Sequence, residues 1–204
     1  MSQPEPQQRR SLRALGIMLL SLAAYTYADL GTKEWALDEL SRPNEHAAPV
    51  CEPDAQGRID YQRLPLPPRP LVEGVLRASY AENCGAAFSM LRSAPGWVRA
   101  LVFGVASIGG GILLSVLFVR GSGGKLFGAS VPLIMSGAIG NLSDRVRHGF
   151  VVDFLQVDPK LFSYPVFNVA DIAIAIGAGL LLLDGFVKPA ARDPAPSPPP
   201  TATA

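Results

Sequence analysis

Histidine and cysteine each occur only twice in these 204 residues. His46 and His148 stand far apart, and Cys51 and Cys84 have no metal-ligand spacing, so a metal centre lacks donors. No serine sits in a recognisable nucleophile setting. Charge is scarce as well. Lys, Arg, Asp and Glu together make 17% of the chain against 49% hydrophobic residues, where a soluble domain carries nearer a quarter charged. The net charge of +1 comes without a basic patch interleaved with aromatics, which argues against a nucleic-acid partner.

What is present is bunched apolar sequence, with a mean hydropathy of +0.25. Four stretches approach the roughly 20 residues that cross a hydrocarbon core of about 30 Å. They are Leu12–Leu37, Val98–Val119, the shorter Leu126–Leu142, and Val166–Val187. Ala173 with Gly177, and Ala175 with Gly179, have the spacing that lets membrane helices approach closely. Residues 9–28 also have the shape of a secretory signal, ending in Ala-Tyr-Thr-Tyr-Ala, but three further spans follow. The expected organisation is an N-terminal tail (residues 1–11), a four-helix membrane domain (12–188) and a disordered Pro/Ala-rich tail (189–204).

Four spans put both termini on one side. That side carries Arg9, Arg10, Arg13, Arg120, Lys125, Lys188 and Arg192 on short flanks, which leans towards cytoplasmic termini. Every unusual polar residue then falls on the opposite, extracytoplasmic side: Asp29 and Lys33, Asn83, Asn141, Asp144 and Arg145, Asp153, Asn168 and Asp171. Each has a bland reading as an ion pair, a helix cap or a headgroup contact. The bland reading is weakest for Asp153, set in Val-Val-Asp-Phe-Leu, and Asp171, which opens the last apolar run. A carboxylate beside the bilayer core costs several kcal/mol and marks function. Two that converge share a proton, and such a pair suits acid/base chemistry on a water. Proton-coupled transport and an assembly role for Asp and Arg as inter-helix glue stay open, although no inverted repeat is evident.

These residues fall into four ordered blocks: Asp29-Leu-Gly-Thr-Lys33, Asn83-Cys-Gly-Ala-Ala-Phe88, Gly140-Asn-Leu-Ser-Asp-Arg145 continuing to Val152-Asp-Phe154, and Phe167-Asn-Val-Ala-Asp171. In this they resemble signal peptidase II, the lipoprotein signal peptidase of bacteria. The resemblance implies an all-α membrane protein of four transmembrane helices, with an extracytoplasmic loop region that has room for a small β-element. It implies an intramembrane aspartic endopeptidase, without cofactor, that cuts diacylglyceryl-modified prolipoproteins just before the lipidated cysteine and is blocked by globomycin. Asp153 and Asp171 would be its dyad. Asn83, Asn141, Arg145 and Asn168 would orient substrate and dyad, with Asp29 and Lys33 as support and Asp144 pairing a neighbouring base.

Two departures stand out. The segment Ser41–Pro70, within an enlarged loop over about residues 41–75, holds seven prolines and has no evident counterpart in the family. It is expected as a flexible insert or a substrate-facing flap. Cys84 replaces an expected threonine. With Cys51 it could form a unique disulfide on the oxidising side of the membrane, or remain a small apolar stand-in with a free thiol.

Overall fold

The computed structural model describes residues 11–52, 58–85, 96–160, 162 and 164–187. The tail before Ser11, the Ala86–Phe88 end of the second block and the segment 189–204 lie outside the described residues.

Four helices are each long and apolar enough to cross a membrane. They are α1 (Leu12–Leu40), α2 (Gly96–Val119), α3 (Lys125–His148) and α4 (Val169–Phe186). Large apolar side chains such as Leu20, Val105, Ile112, Ile176 and Leu182 point outward, as they do on helices solvated by lipid. At 1.5 Å per residue α1 is about 44 Å long, well beyond a hydrocarbon core. Its last turns bury Ala36, Leu37 and Leu40 against strands instead.

The all-α expectation is too narrow. Beside the helices lie a two-stranded sheet, β1 (Ser41–Pro43) with β2 (Arg63–Pro65), and a three-stranded antiparallel sheet. The latter runs in the order β3 (Arg69–Val72), β4 (Leu76–Asn83), β5 (Val151–Val157). β5 reads as a short apolar run because both of its faces are covered; Val151, Val152, Asp153 and Phe154 are all buried. Nor is the Pro-rich segment loose where it is described. The Glu82 carboxylate accepts hydrogen bonds from the backbone N–H groups of Gln62 and Arg63, each 2.8 Å, and from the Tyr80 hydroxyl at 3.0 Å. Arg63 in turn donates to Ser41 Oγ and to the Leu37 carbonyl at the end of α1, both 2.8 Å. These bonds clamp the β1–β2 hairpin onto β4 and α1.

Helices α3 and α4 pack most closely, and glycine permits it. A Cβ on Gly137 would meet the Ala170 carbonyl and Ile174, and one on Gly177 would meet Ile134. Of the two small-residue pairs expected, Ala173 and Gly177 are buried at this contact, whereas Ala175 is exposed and Gly179 has no neighbour where a Cβ would stand. Asp184, near the end of α4, accepts from the backbone N–H groups of Gly124 (2.8 Å) and Phe127 (3.0 Å). It thereby satisfies orphan donors at the start of α3 and places a negative charge at a helix N-terminus.

Two apolar clusters result. One joins the ends of α1, β4 and β5; the other gathers Met18, Phe118, Phe127 and Val131 from the opposite end of the bundle. Of the polar residues singled out in the sequence, Asp29, Lys33, Asn141, Asp144, Arg145 and Asp171 lie on α1, α3 and α4, Asn168 caps α4, and Asn83 and Asp153 lie on β4 and β5.

Candidate active site

The three-stranded sheet aims the first carboxyl. Asp153 pairs with Ala81 across β4–β5, and Asn83 pairs with Val151. Asn83 and Asp153 are therefore diagonal neighbours on one sheet face, within reach of each other's side chains. Asn83 Nδ2 donates to Asp153 Oδ2 at 3.0 Å. The second carboxyl comes from a helix start. Asn168 caps α4, accepting from the Asp171 backbone N–H at 2.9 Å, while Asp171 Oδ2 accepts from the Asn168 N–H at 3.2 Å. That reciprocal arrangement is a capping box, and it leaves Asp171 in the first turn, where a helix favours negative charge.

One residue touches both acids. Besides its backbone bond to Asp171, Asn168 donates from Nδ2 to Asp153 Oδ1 at 2.7 Å, and it is completely buried. Asn141 Nδ2 donates to the other oxygen of Asp171, Oδ1, at 2.9 Å. Three asparagines thus surround the carboxyl pair, and each has its amide orientation dictated from behind. The oxygen of Asn83 accepts from the Gly85 N–H, that of Asn168 from the Asp171 N–H, and that of Asn141 from Lys33 Nζ. With the oxygens so committed, all three amide nitrogens must face the acids.

Lys33 is 2% exposed and ion-paired twice, to Asp29 Oδ2 at 2.8 Å and Asp144 Oδ2 at 3.1 Å. The Asp29–Lys33 pair is therefore interior and not interfacial. Asp29 Oδ1 accepts from the Ala170 N–H at 2.8 Å, tying α1 to the start of α4, and Asp144 Oδ2 accepts from the Val152 N–H at 3.0 Å, tying α3 to β5. Gly140 is obligatory here, because a side chain would occupy the space of the Asp29 carboxylate. Arg145 turns inward, donating to the carbonyls of Asn141 and Gly85, each 3.0 Å, with its guanidinium 4.0 Å over the Phe103 ring. The structure thus gathers all eight residues expected at the site, with Asp144 beside them. Gly85 stands in the second block, but its carbonyl and the Phe103 ring were not foreseen as partners of Arg145. Neither residue type signals such a role in sequence.

Burial of Asp153 pushes its pKa up, to about 8; the neighbouring Asp171 charge adds to the rise, and the bonds from Asn83 and Asn168 oppose it. The sign of the linkage follows. An unfolded aspartate titrates near 4, so between about pH 4 and pH 8 the folded chain holds a proton that the unfolded chain has lost. Stability associated with this group is full below pH 4 and declines as pH rises towards 8, by up to about 1.4 kcal/mol per pH unit. Asp153→Asn removes the titration. The Tm difference between variant and parent should move in favour of the variant from pH 5 to pH 8; a difference that stays flat would refute the raised pKa.

Comparisons with known proteins agree with one another. The family model described as signal peptidase (SPase) II matches residues 21–187. A curated lipoprotein signal peptidase from Yersinia enterocolitica is 41% identical over 133 residues, covering 65% of this chain and 75% of that protein. One from Photorhabdus laumondii is 41% identical over 130 residues, 63% of this chain and 74% of that protein. One from Shewanella piezotolerans is 50% identical over 112 residues, 54% and 65% respectively. Among solved structures, a bacterial membrane enzyme determined by the in meso method superposes with a TM-score of 0.63 at 21% identity, covering 92% of this chain and 98% of that one. That last likeness establishes a shared fold.

Proposed function

This chain belongs to the signal peptidase II family, and we propose that Asp153 and Asp171 are the carboxyl pair with which it removes signal peptides from diacylglyceryl-modified prolipoproteins, just before the lipidated cysteine. The observation that carries the assignment is Asn168, which holds both carboxyls from one residue while a second amide braces each from the far side. Asp171, in the first turn of α4 where a helix favours negative charge, takes the part of the base. Asp153, with its raised pKa, is the protonated one at neutral pH.

The two roles divide as the reaction requires. Asp171 takes a proton from a water as its oxygen attacks the scissile carbonyl carbon, and Asp153 gives its proton to the carbonyl oxygen. In the collapse, Asp171 passes its proton to the departing cysteine amine as the C–N bond breaks. A hydroxyl of the intermediate returns its proton to Asp153. Both carboxyls then stand as they began, and the products are a signal peptide with a free carboxyl terminus and an apolipoprotein with a free amine.

The four helices cross the bacterial inner membrane with both termini in the cytoplasm, which puts the carboxyl pair and the sheets on the extracytoplasmic side. An apolar cavity of about 440 Å³ runs between α2 and α3, past Ala106, Gly110, Leu114, Met135 and Ala138 to Leu142, the neighbour of Asn141. Its lining spans about 15 Å of α2 at 1.5 Å per residue, and its mean section is narrower than the 10–12 Å diameter of a helix. It suits one acyl chain of the substrate's diacylglyceryl group, which comes from lipid and is held in the groove by close packing, not by removal from water.

The test is cleavage by the purified protein in detergent. A diacylglyceryl prolipoprotein should shift to its shorter form on a gel, the same precursor without lipid should not, and globomycin should stop the reaction. Equal cleavage of both precursors would overturn the substrate assignment.

A further inference from the structure

Cys51 and Cys84 are joined by a disulfide, with Cα atoms 5.6 Å apart and a separation of 33 positions along the chain. Its placement bears on the site directly. The β4–β5 ladder ends at the Asn83–Val151 pair, so Cys84 and Gly85 continue beyond the last rung. Yet both neighbours of Cys84 are wired to the carboxyl shell. Asn83 donates to Asp153 and receives the Gly85 N–H across Cys84, and the Gly85 carbonyl accepts from Arg145. The other end of the bridge packs on the end of α3. Cys51 Sγ lies 3.6 Å from the carbonyl oxygen of Gly149, the left-handed residue that ends α3. Val50 fills the space where a side chain on Gly149 would stand. The bridge therefore ties the loop that packs on the end of α3, the helix of Asn141, Asp144 and Arg145, to the turn that orients Asn83.

We propose that the Cys51–Cys84 disulfide is a positioning element for the reaction, locking the Asn83–Gly85 turn so that Asn83 stays on Asp153, and that opening it lowers turnover in the folded enzyme. The proposal rests on the assignment of Asp153 and Asp171 as the reacting pair. Opening requires a two-electron reductant. A dithiol reagent such as dithiothreitol breaks the S–S bond, leaves two protein thiols that take up its two protons, and is itself oxidised to a cyclic disulfide. Without the bridge the turn keeps its hydrogen bonds and the packing of Cys84 against the core cluster, with no covalent tie beyond the end of the ladder, and displacement of a positioning group by about 1 Å can cost up to about 10²-fold in rate.

The experiment compares oxidised and dithiothreitol-treated protein in detergent, well below the Tm of each, on a diacylglyceryl prolipoprotein. Labelling should count no thiols before treatment and two after it. The kcat should fall about tenfold with KM nearly unchanged, and reoxidation should restore it. If dithiothreitol fails to open the bridge in the folded protein, the C51S/C84S variant provides the same comparison. In an Asn83→Ala background, opening the bridge should change kcat less than twofold, because the contact it protects is already gone. Two counted thiols with unchanged kcat would overturn the proposal. So would a full tenfold loss in Asn83→Ala, which would leave the bridge a stabiliser of the chain alone. Asp153→Asn, assayed alongside, separates the two readings: turnover retained there removes the carboxyl-pair assignment, whereas an inactive Asp153→Asn with an active reduced parent removes only the role of the bridge.

Discussion

Asp153→Asn and Asp171→Asn should each lower prolipoprotein cleavage by roughly 10³- to 10⁴-fold, the upper range of what a positioned acid or base contributes, while the protein still inserts and melts cooperatively. The geometry explains why folding survives. At Asp171 an asparagine keeps an acceptor for the Asn168 N–H, so the start of α4 stays capped. At Asp153 it keeps one oxygen for Asn168 or Asn83, the two donors that now hold the carboxyl. What is lost is the exchangeable proton. Neither asparagine can accept a proton from water or donate one to a carbonyl oxygen as an acid does. Single-turnover cleavage in detergent, read beside thermal melting, checks this. Substantial turnover in either variant would exclude a mechanism in which both carboxyls move protons. Loss of turnover together with loss of the melting transition would show only that the fold had failed, and a milder replacement such as Asp153→Glu would then decide.

The sequence displayed this site more clearly than the architecture that builds it. Charge inside an apolar run is expensive, so each polar residue that persists there is visible, and the eight expected residues meet in one place. The helices were legible for the same reason, with one difference at α3. It continues to His148, past the apolar stretch ending at Leu142, because its last turns are held by Asp144, Arg145 and the Gly149 cap and not by lipid. The sheets were hidden. β5 is buried on both faces and shows no alternation, β3 and the strands of the hairpin are three or four residues long, and the register that sets Asn83 diagonal to Asp153 depends on a shift between Ala78 and Ala81. No local periodicity encodes such a pairing. The fastening of the Pro-rich segment was hidden in a similar way. Its composition suggests a flap, but Arg63, Gln62 and Glu82 fasten it through contacts between positions far apart in the chain. The same holds for Asp184, whose value lies in two backbone donors nearly sixty residues earlier.

Lys33→Met should be the most destabilising of the substitutions considered, and its consequences should separate stability from catalysis. Removing the cation leaves Asp29 and Asp144 buried without a counter-charge, and breaking a buried pair in this way costs about 3–5 kcal/mol. Both acids also hold backbone N–H groups that join α1 to α4 and α3 to β5, so the loss should spread through the bundle as a large fall in Tm and in yield. Neutralising the whole cluster, with Asp29→Asn, Lys33→Met and Asp144→Asn together, removes the uncompensated charges and should recover much of that stability. It should not recover turnover. Lys33 Nζ, at 2.9 Å, is the charged donor that commits the Asn141 oxygen; without it only the weaker bond from Asn168 at 3.1 Å keeps the Asn141 amide nitrogen on Asp171. An amide free to rotate can present its oxygen to the Asp171 carboxylate, which repels the ionised form that the reaction needs. The triple variant should therefore melt near the parent yet cleave about ten- to a hundredfold more slowly, the range expected when a group that orients a reacting partner is lost. Parent-like kcat in a well-folded triple variant would reduce the buried lysine to a structural ion pair.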